Sequence, residues 1–182
     1  MSLATQKLSQ NVAEYVIFLW QMEDLVRAVY YEADALDEFI RSYTPDETAF
    51  KSEREWFDNL IKQMRNEGVE QRGHITEVHE LIFELNYLHN TLLNLIKDKT
   101  YLDLYRKAQP NLKEYLERTD GKSTNDVEIC LTALYGMLVL RLKREPVSPE
   151  TTEAMQTFSN LLARLAFHFK AMKQGEVNFA LN

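Results

Sequence analysis

NVAEYVIFLWQMEDLVRAVYY, residues 11–31, decides what kind of object this chain builds. At helical spacing it splits into two faces. Val12, Tyr15, Leu19, Met22, Val26 and Val29 form one stripe, while Ala13, Ile17, Trp20, Asp24, Arg27 and Tyr31 form a second that is apolar early and polar late. Asn11 is placed to cap the helix, and Glu14, three residues on, completes a capping box. A helix with two such faces has to cover both, since leaving Ile17 and Trp20 in water forfeits about 1.5–3 kcal/mol each. A neighbouring helix, a second copy of the chain or a ligand can supply that cover.

The same stretch is no membrane span. Its longest uncharged run, residues 15–22, is eight residues long, against the roughly 20 that a bilayer demands. Glu14, Glu23 and Asp24 stand where an apolar signal region would have to continue. The uncharged run at 129–140 is also too short.

Outward from this segment, helix signals recur and no stretch alternates as a strand does, which predicts an all-α chain. A short helix follows in EADALDEFIRSY, and TPDE starts another, with Thr44 as cap, Pro45 at the first helical position and Glu47 completing a box. That helix runs to about residue 67 and stops at Gly68. A long helix covers about 74–97, where Ile75, Val78, Ile82, Leu85, His89, Leu92 and Ile96 repeat at spacings of three and four, and Leu81, Leu88 and Leu95 widen the stripe. Residues 100–118 read as one helix kinked at Pro110 or two broken there.

TDGKSTNDVE is a loop that leads into a helix over about 126–144. Its ICLTALYGMLVL is apolar around most of the circumference, which predicts a central position with neighbours on several sides. Ser148 and Pro149 open a last helix to about 174, with Met155, Phe158, Leu162, Leu165, Phe169 and Met172 on one face. The expectation is a single-domain bundle of about six to seven helices over 1–182, with its core at about 11–174, a short tail at 175–182, and the first helix and the helix from Asp126 at the centre.

Charge narrows the partners. There are 21 basic and 28 acidic side chains, a net charge of −7, which disfavours nucleic acid and anionic lipid. Acid is concentrated in the first fifty residues and the last eighty are near neutral, which reads first as a solvated acidic face and is also compatible with internal pairing or head-to-tail association. Cys130, the single cysteine, lies in an apolar run, so no intramolecular disulfide exists and a cytoplasmic location is expected.

Three constellations carry possible chemistry. Asp24 and Arg27, with Glu23, Trp20 and Tyr31, offer a guanidinium fork beside aromatic walls, or a structural ion pair that docks the first helix. The His74–His89 run holds His74, Glu77, His79, Glu80, Glu84 and His89, but no Glu or Asp stands three before a His, so no metal site is expected, and Glu77, Glu80 and Glu84 are assigned to the solvated side. His89 interrupts an apolar stripe, which predicts a hydrogen-bond partner on a facing helix, with Asn86, Tyr15 or a carboxylate as candidates. Arg164 and His168 sit one turn apart and fall short of the wider Arg-to-His spacing of HEPN ribonucleases, with Leu165 where those carry a polar residue. No phosphate loop, nucleophile elbow or Cys–His pair occurs, and no cofactor is expected.

Four phrases in order, NVAEYVIFLWQMEDLVRA, RGHITEVHELIFELNYLH, VEICLTALYGMLVLRLK and VSPET, resemble a bacterial domain-of-unknown-function family, number forty-nine twenty-four. The resemblance implies an intact all-helical cytoplasmic protein and assigns no catalytic residue. Together the readings favour a non-enzymatic module that self-associates or binds a protein through the face near Ile17, Trp20, Asp24, Arg27 and Tyr31. The alternative is a ligand or enzymatic pocket built on Asp24, Arg27, Tyr31 and His89.

Overall fold

The computed structural model describes residues 2–29, 33–119 and 125–175. Among these the protein is an all-α bundle of eight α-helices with no strand: α1 (Leu3–Gln10), α2 (Val12–Val29), α3 (Ala33–Tyr43), α4 (Glu47–Asn66), α5 (Thr76–Thr91), α6 (Lys99–Arg118), α7 (Asp126–Leu142) and α8 (Pro149–Lys173). A π-helical turn, Leu92–Ile96, continues α5. The helices gather into two compact units, residues 1–81 and 82–182.

In the first unit α2 is the element that α1, α3 and α4 pack against. Asn11 caps it as expected, its side-chain oxygen accepting from the Ala13 and Glu14 N–H groups at 3.0 and 3.3 Å. The Asn11 amide donates in turn to the Glu14 carboxylate at 3.0 Å. Both faces of α2 are covered: Val12, Tyr15, Leu19, Met22 and Val26 on one side and Ala13 and Trp20 on the other are buried. Part of that cover is α1, which the sequence pattern did not disclose. Eight residues are too few to hold a helix alone. Here Ser2 caps α1, Ala4 is buried and the Leu3 N–H donates to the buried Glu53 carboxylate at 2.5 Å.

The start of α4 differs from expectation. Asp46, not Thr44, is the cap: its carboxylate accepts the Ala49 N–H at 2.8 Å, and the helix opens at Glu47. A carboxylate is the stronger partner for a helix N-terminus, and the Thr44 hydroxyl is spent on the Ile40 carbonyl at 2.8 Å. Asp46→Ala is expected to cost about 1 kcal/mol, measured as a shift of the urea midpoint. Equal midpoints would place the cap elsewhere. α4 ends at Gly68, whose φ of 70° lets the Val69 N–H return to the Met64 carbonyl at 2.9 Å.

The second unit is built on α6, α7 and α8, each packed against the other two. Phe158, Leu161, Leu162 and Leu165 of α8 join Tyr101, Ala108 and Leu112 of α6 and Ile129, Cys130 and Leu131 of α7 among its buried side chains. α6 is one continuous helix, with Pro110 on its exposed side. The predicted α5 stripe holds through Leu92 and then fails, since Leu95 and Ile96 are exposed. The π turn is the cause: its wider winding advances the chain by less angle per residue, and Lys97 then leaves in the left-handed region with φ 54°.

α7 also departs from expectation. Val127, Ile129, Cys130, Leu131 and Ala133 of its first half are buried; from Gly136 on its residues are half-covered or exposed, and Leu142 is 69% exposed. An apolar circumference therefore does not bring neighbours on all sides here. Residues 120–124 of the expected loop and 176–182 of the expected tail lie outside the described residues.

Candidate functional site

Trp20, Asp24 and Arg27 lie in the first unit with their partners. Arg27 donates to Asp24 at 2.8 Å, to the Val69 carbonyl at 3.1 Å and to the Gly73 carbonyl. Beside them the fully buried Glu23 accepts the Ile75 N–H at 2.8 Å and sits 2.5 Å from His74 Nδ1, and Trp20 stacks on the His74 ring at 5.2 Å. The polar end of α2 thus grips residues 69–75, the connection that leads into α5. Arg27 holds backbone carbonyls with its fork, and Trp20 is only 4% exposed, so the face read as a contact surface is a clamp on the chain itself. Tyr31 lies outside the described residues.

His89 lies in the second unit, 2.7 Å from the Tyr101 hydroxyl through Nδ1. That partner is neither Asn86 nor Tyr15; Tyr15 instead donates to Glu77 at 2.9 Å, which removes Glu77 from the solvated side. Glu84 is likewise engaged, 2.7 Å from Lys173. Around His89 stand Tyr105, with ring centroids 5.2 Å apart, and Asp126, whose carboxylate is 3.9 Å from Nε2 and accepts the Tyr105 hydroxyl at 2.7 Å. Burial depresses the His89 pKa and Asp126 only partly offsets it, so the ring is a neutral core imidazole. Burial and then Asp126 push Tyr105 up to about 12, and burial raises the Tyr101 hydroxyl and the Cys130 thiol still further. None of these groups is poised to give up a proton near neutrality. Asp24 and Arg27 thus belong to the first unit and His89 to the second.

A third cluster gathers Arg164 and His168 of α8 on one carboxylate oxygen of Asp98, at 3.3 and 3.9 Å. Burial would raise Asp98, but the Tyr101 N–H, Arg164 and His168 hold its carboxyl below the usual range. Asp98 caps α6 through that N–H at 2.7 Å, so the trio ties α8 to the start of α6. Among the described residues no group of His, Cys, Asp and Glu is arranged to hold a metal, and no helix is long and apolar enough to cross a membrane.

One groove belongs to none of these clusters. It holds about 940 Å³ and runs between α6, α7 and α8. Its floor is Ala133, Gly136, Met137, Leu140, Met155 and Tyr115, and a Cβ added at Gly136 meets nothing within 4 Å. Its rim carries Glu114, Glu150 and Glu153, with Arg118 paired to Glu114 at 2.5 Å. The apolar circumference of α7, read from the sequence as a sign of a central position, is where this groove lies.

A family model described as Domain of unknown function (DUF4924) matches residues 1–176, the family resembled by the four phrases. No curated protein and no solved structure matches the chain.

Proposed function

Because the chain belongs to the DUF4924 family, a domain of unknown function, its role has to be read from its own surfaces, and we propose that it is a non-enzymatic interaction module whose groove receives an amphipathic helix. One observation carries this reading: the second half of α7 presents Met137 and Leu140 to an open, apolar-floored groove that the second unit leaves unfilled. Helix-in-groove recognition needs such a trough with polar edges. The rim holds three carboxylates against one guanidinium, which favours a helix with basic residues flanking its apolar face. That helix comes from another protein, and a second copy of the chain is the outcome that an adduct of twice the chain's mass would reveal. In the same reading the module works in a bacterial cytoplasm, in keeping with one thiol that is buried and held protonated.

The test places a photo-crosslinking side chain at Met137 in the native host. A discrete adduct of identifiable mass is expected, together with its loss in Gly136→Trp, which fills the groove. Trp is no worse a helix former than Gly, so the fold is expected to be kept. An adduct that persists in Gly136→Trp, or that forms equally from exposed Lys113, removes the groove from the account.

A second reading rests on volume. About 940 Å³ falls within the range of small-molecule sites, and an amphiphile would satisfy the same floor and rim. Native mass spectrometry of the purified chain separates the two, because a retained small molecule adds a fixed mass that Gly136→Trp abolishes.

A further inference from the structure

The apolar stripe of α5 is written for a longer α-helix than the chain forms. Ile82, Leu85, His89 and Leu92 of the second unit are buried along it, and in unbroken α winding Ile96, four residues past Leu92, falls on the same face. The π turn takes it off that face, so that Ile96 is 43% and Leu95 65% exposed. The Leu92 carbonyl accepts both the Lys97 N–H and the Asp98 N–H, the latter at 3.2 Å. Lys97 is driven to a φ of 54°, a region in which only glycine is at ease. The segment thus carries two local costs, exposed apolar side chains and a left-handed lysine, that an α-helical ending would avoid.

A strained backbone persists only where its surroundings hold it, and the hold lies one residue on. Asp98 caps α6 by accepting the Tyr101 N–H at 2.7 Å. Its other carboxylate oxygen faces Arg164 and His168 of α8 at 3.3 and 3.9 Å. Continuing α winding through Lys97 turns the chain by a different angle and redirects Asp98, so the π register is the one in which this carboxylate meets α8.

We propose that residues 92–98 are a two-register switch. With Asp98 held by Arg164 and His168, the π turn persists and Leu95 and Ile96 stand in water. With that hold released, the segment rewinds as α-helix and Ile96 turns back onto the buried stripe. Such a shift is discrete, because packed side chains fit one set of positions or the next and nothing between. The state of one carboxylate therefore sets how apolar this end of α5 is. The device stands apart from the groove and holds whether or not a helix binds there.

The test follows the Ile96 δ1 methyl group by NMR in the full chain, with a soluble paramagnetic agent reporting its exposure and the buried Ile82 and Ile129 methyl groups as references. Lys97→Gly relieves the left-handed position and is expected to leave Ile96 as strongly relaxed as in the parent. Lys97→Val, whose branched side chain opposes positive φ, is expected to move the ratio of registers about tenfold toward the α form. Joined to Arg164→Met, which takes the guanidinium from Asp98 and keeps an apolar stem, it is expected to bring the Ile96 methyl down to the level of Ile82. An Ile96 methyl equally relaxed in the parent and in this double variant overturns the proposal. So does a double variant that loses its helicity, since the segment then has no second register to adopt.

Discussion

Glu23→Ala is expected to destabilise the first unit by about 3 kcal/mol, because it strips the carboxylate from a fully dry site and leaves the Ile75 N–H and the His74 ring without the group that holds them. The protein supplies its own reporter. Both tryptophans, Trp20 and Trp56, lie in residues 1–81, and Trp20 stacks on His74 itself. Urea unfolding followed by tryptophan fluorescence therefore reads the unit that carries the substitution. Glu23→Gln retains an oxygen for the Ile75 N–H and is expected to cost less than half as much. If Glu23→Ala unfolds at the parent's midpoint, residues 69–75 are held by Arg27 alone and the clamp is misassigned.

Lowering the pH from about 8 to about 5 is expected to weaken the second unit, and His89 is the principal cause. The ring faces Tyr101 and Tyr105 from α6 and Asp126 from α7. Its pKa in the fold lies below the ordinary value of 6.5. The unfolded chain therefore takes up a proton that the folded chain refuses. Stability is complete above pH 6.5 and falls as the pH drops from there toward the folded pKa, by at most about 1.4 kcal/mol per pH unit for one such group. His168, lowered by burial and then by Arg164, adds a contribution of the same sign. Asp98, whose depressed pKa acts below 3.8, does not enter this window.

His89→Leu separates the histidines. It is expected to flatten much of the acid loss while costing about 1–3 kcal/mol at pH 8, since the Tyr101 hydroxyl is left buried without its partner. Adding Tyr101→Phe removes that orphan, and the double variant is expected to recover part of the loss. Helicity followed by circular dichroism across a urea series at both pH values gives the six numbers, for the parent and the two variants. An acid loss as steep in His89→Leu as in the parent would take His89 out of the explanation.

These two networks show where sequence reasoning stops. The repeats at Ile75, Val78, Ile82 and Leu85 and at Met155, Phe158, Leu162 and Leu165 disclosed their helices because the apolar period is a property of local sequence. His89 was legible as an anomaly for the same reason, being a polar residue in an apolar stripe. Its partner was not: Tyr101 lies beyond a π turn that changes the register between them, and no local pattern announces that change. Glu23 was visible as a charge near Arg27, but its role depends on His74 and Ile75, some fifty residues away.

The chain's own order of residues determined an all-helical protein, the start of α2 at Asn11, the stop of α4 at Gly68 and the family to which it belongs, since periodicity, capping and phrase order need no long-range contact. Tertiary structure alone decided which faces are spent. It covered Trp20 and turned Arg27 inward onto the Val69 and Gly73 carbonyls. It also left the second half of α7 facing a groove, and Phe83 and Tyr87 facing water. The reason is physical: hydrophobicity states that a side chain gains by leaving water, while the body that covers it is chosen by packing among helices distant in sequence.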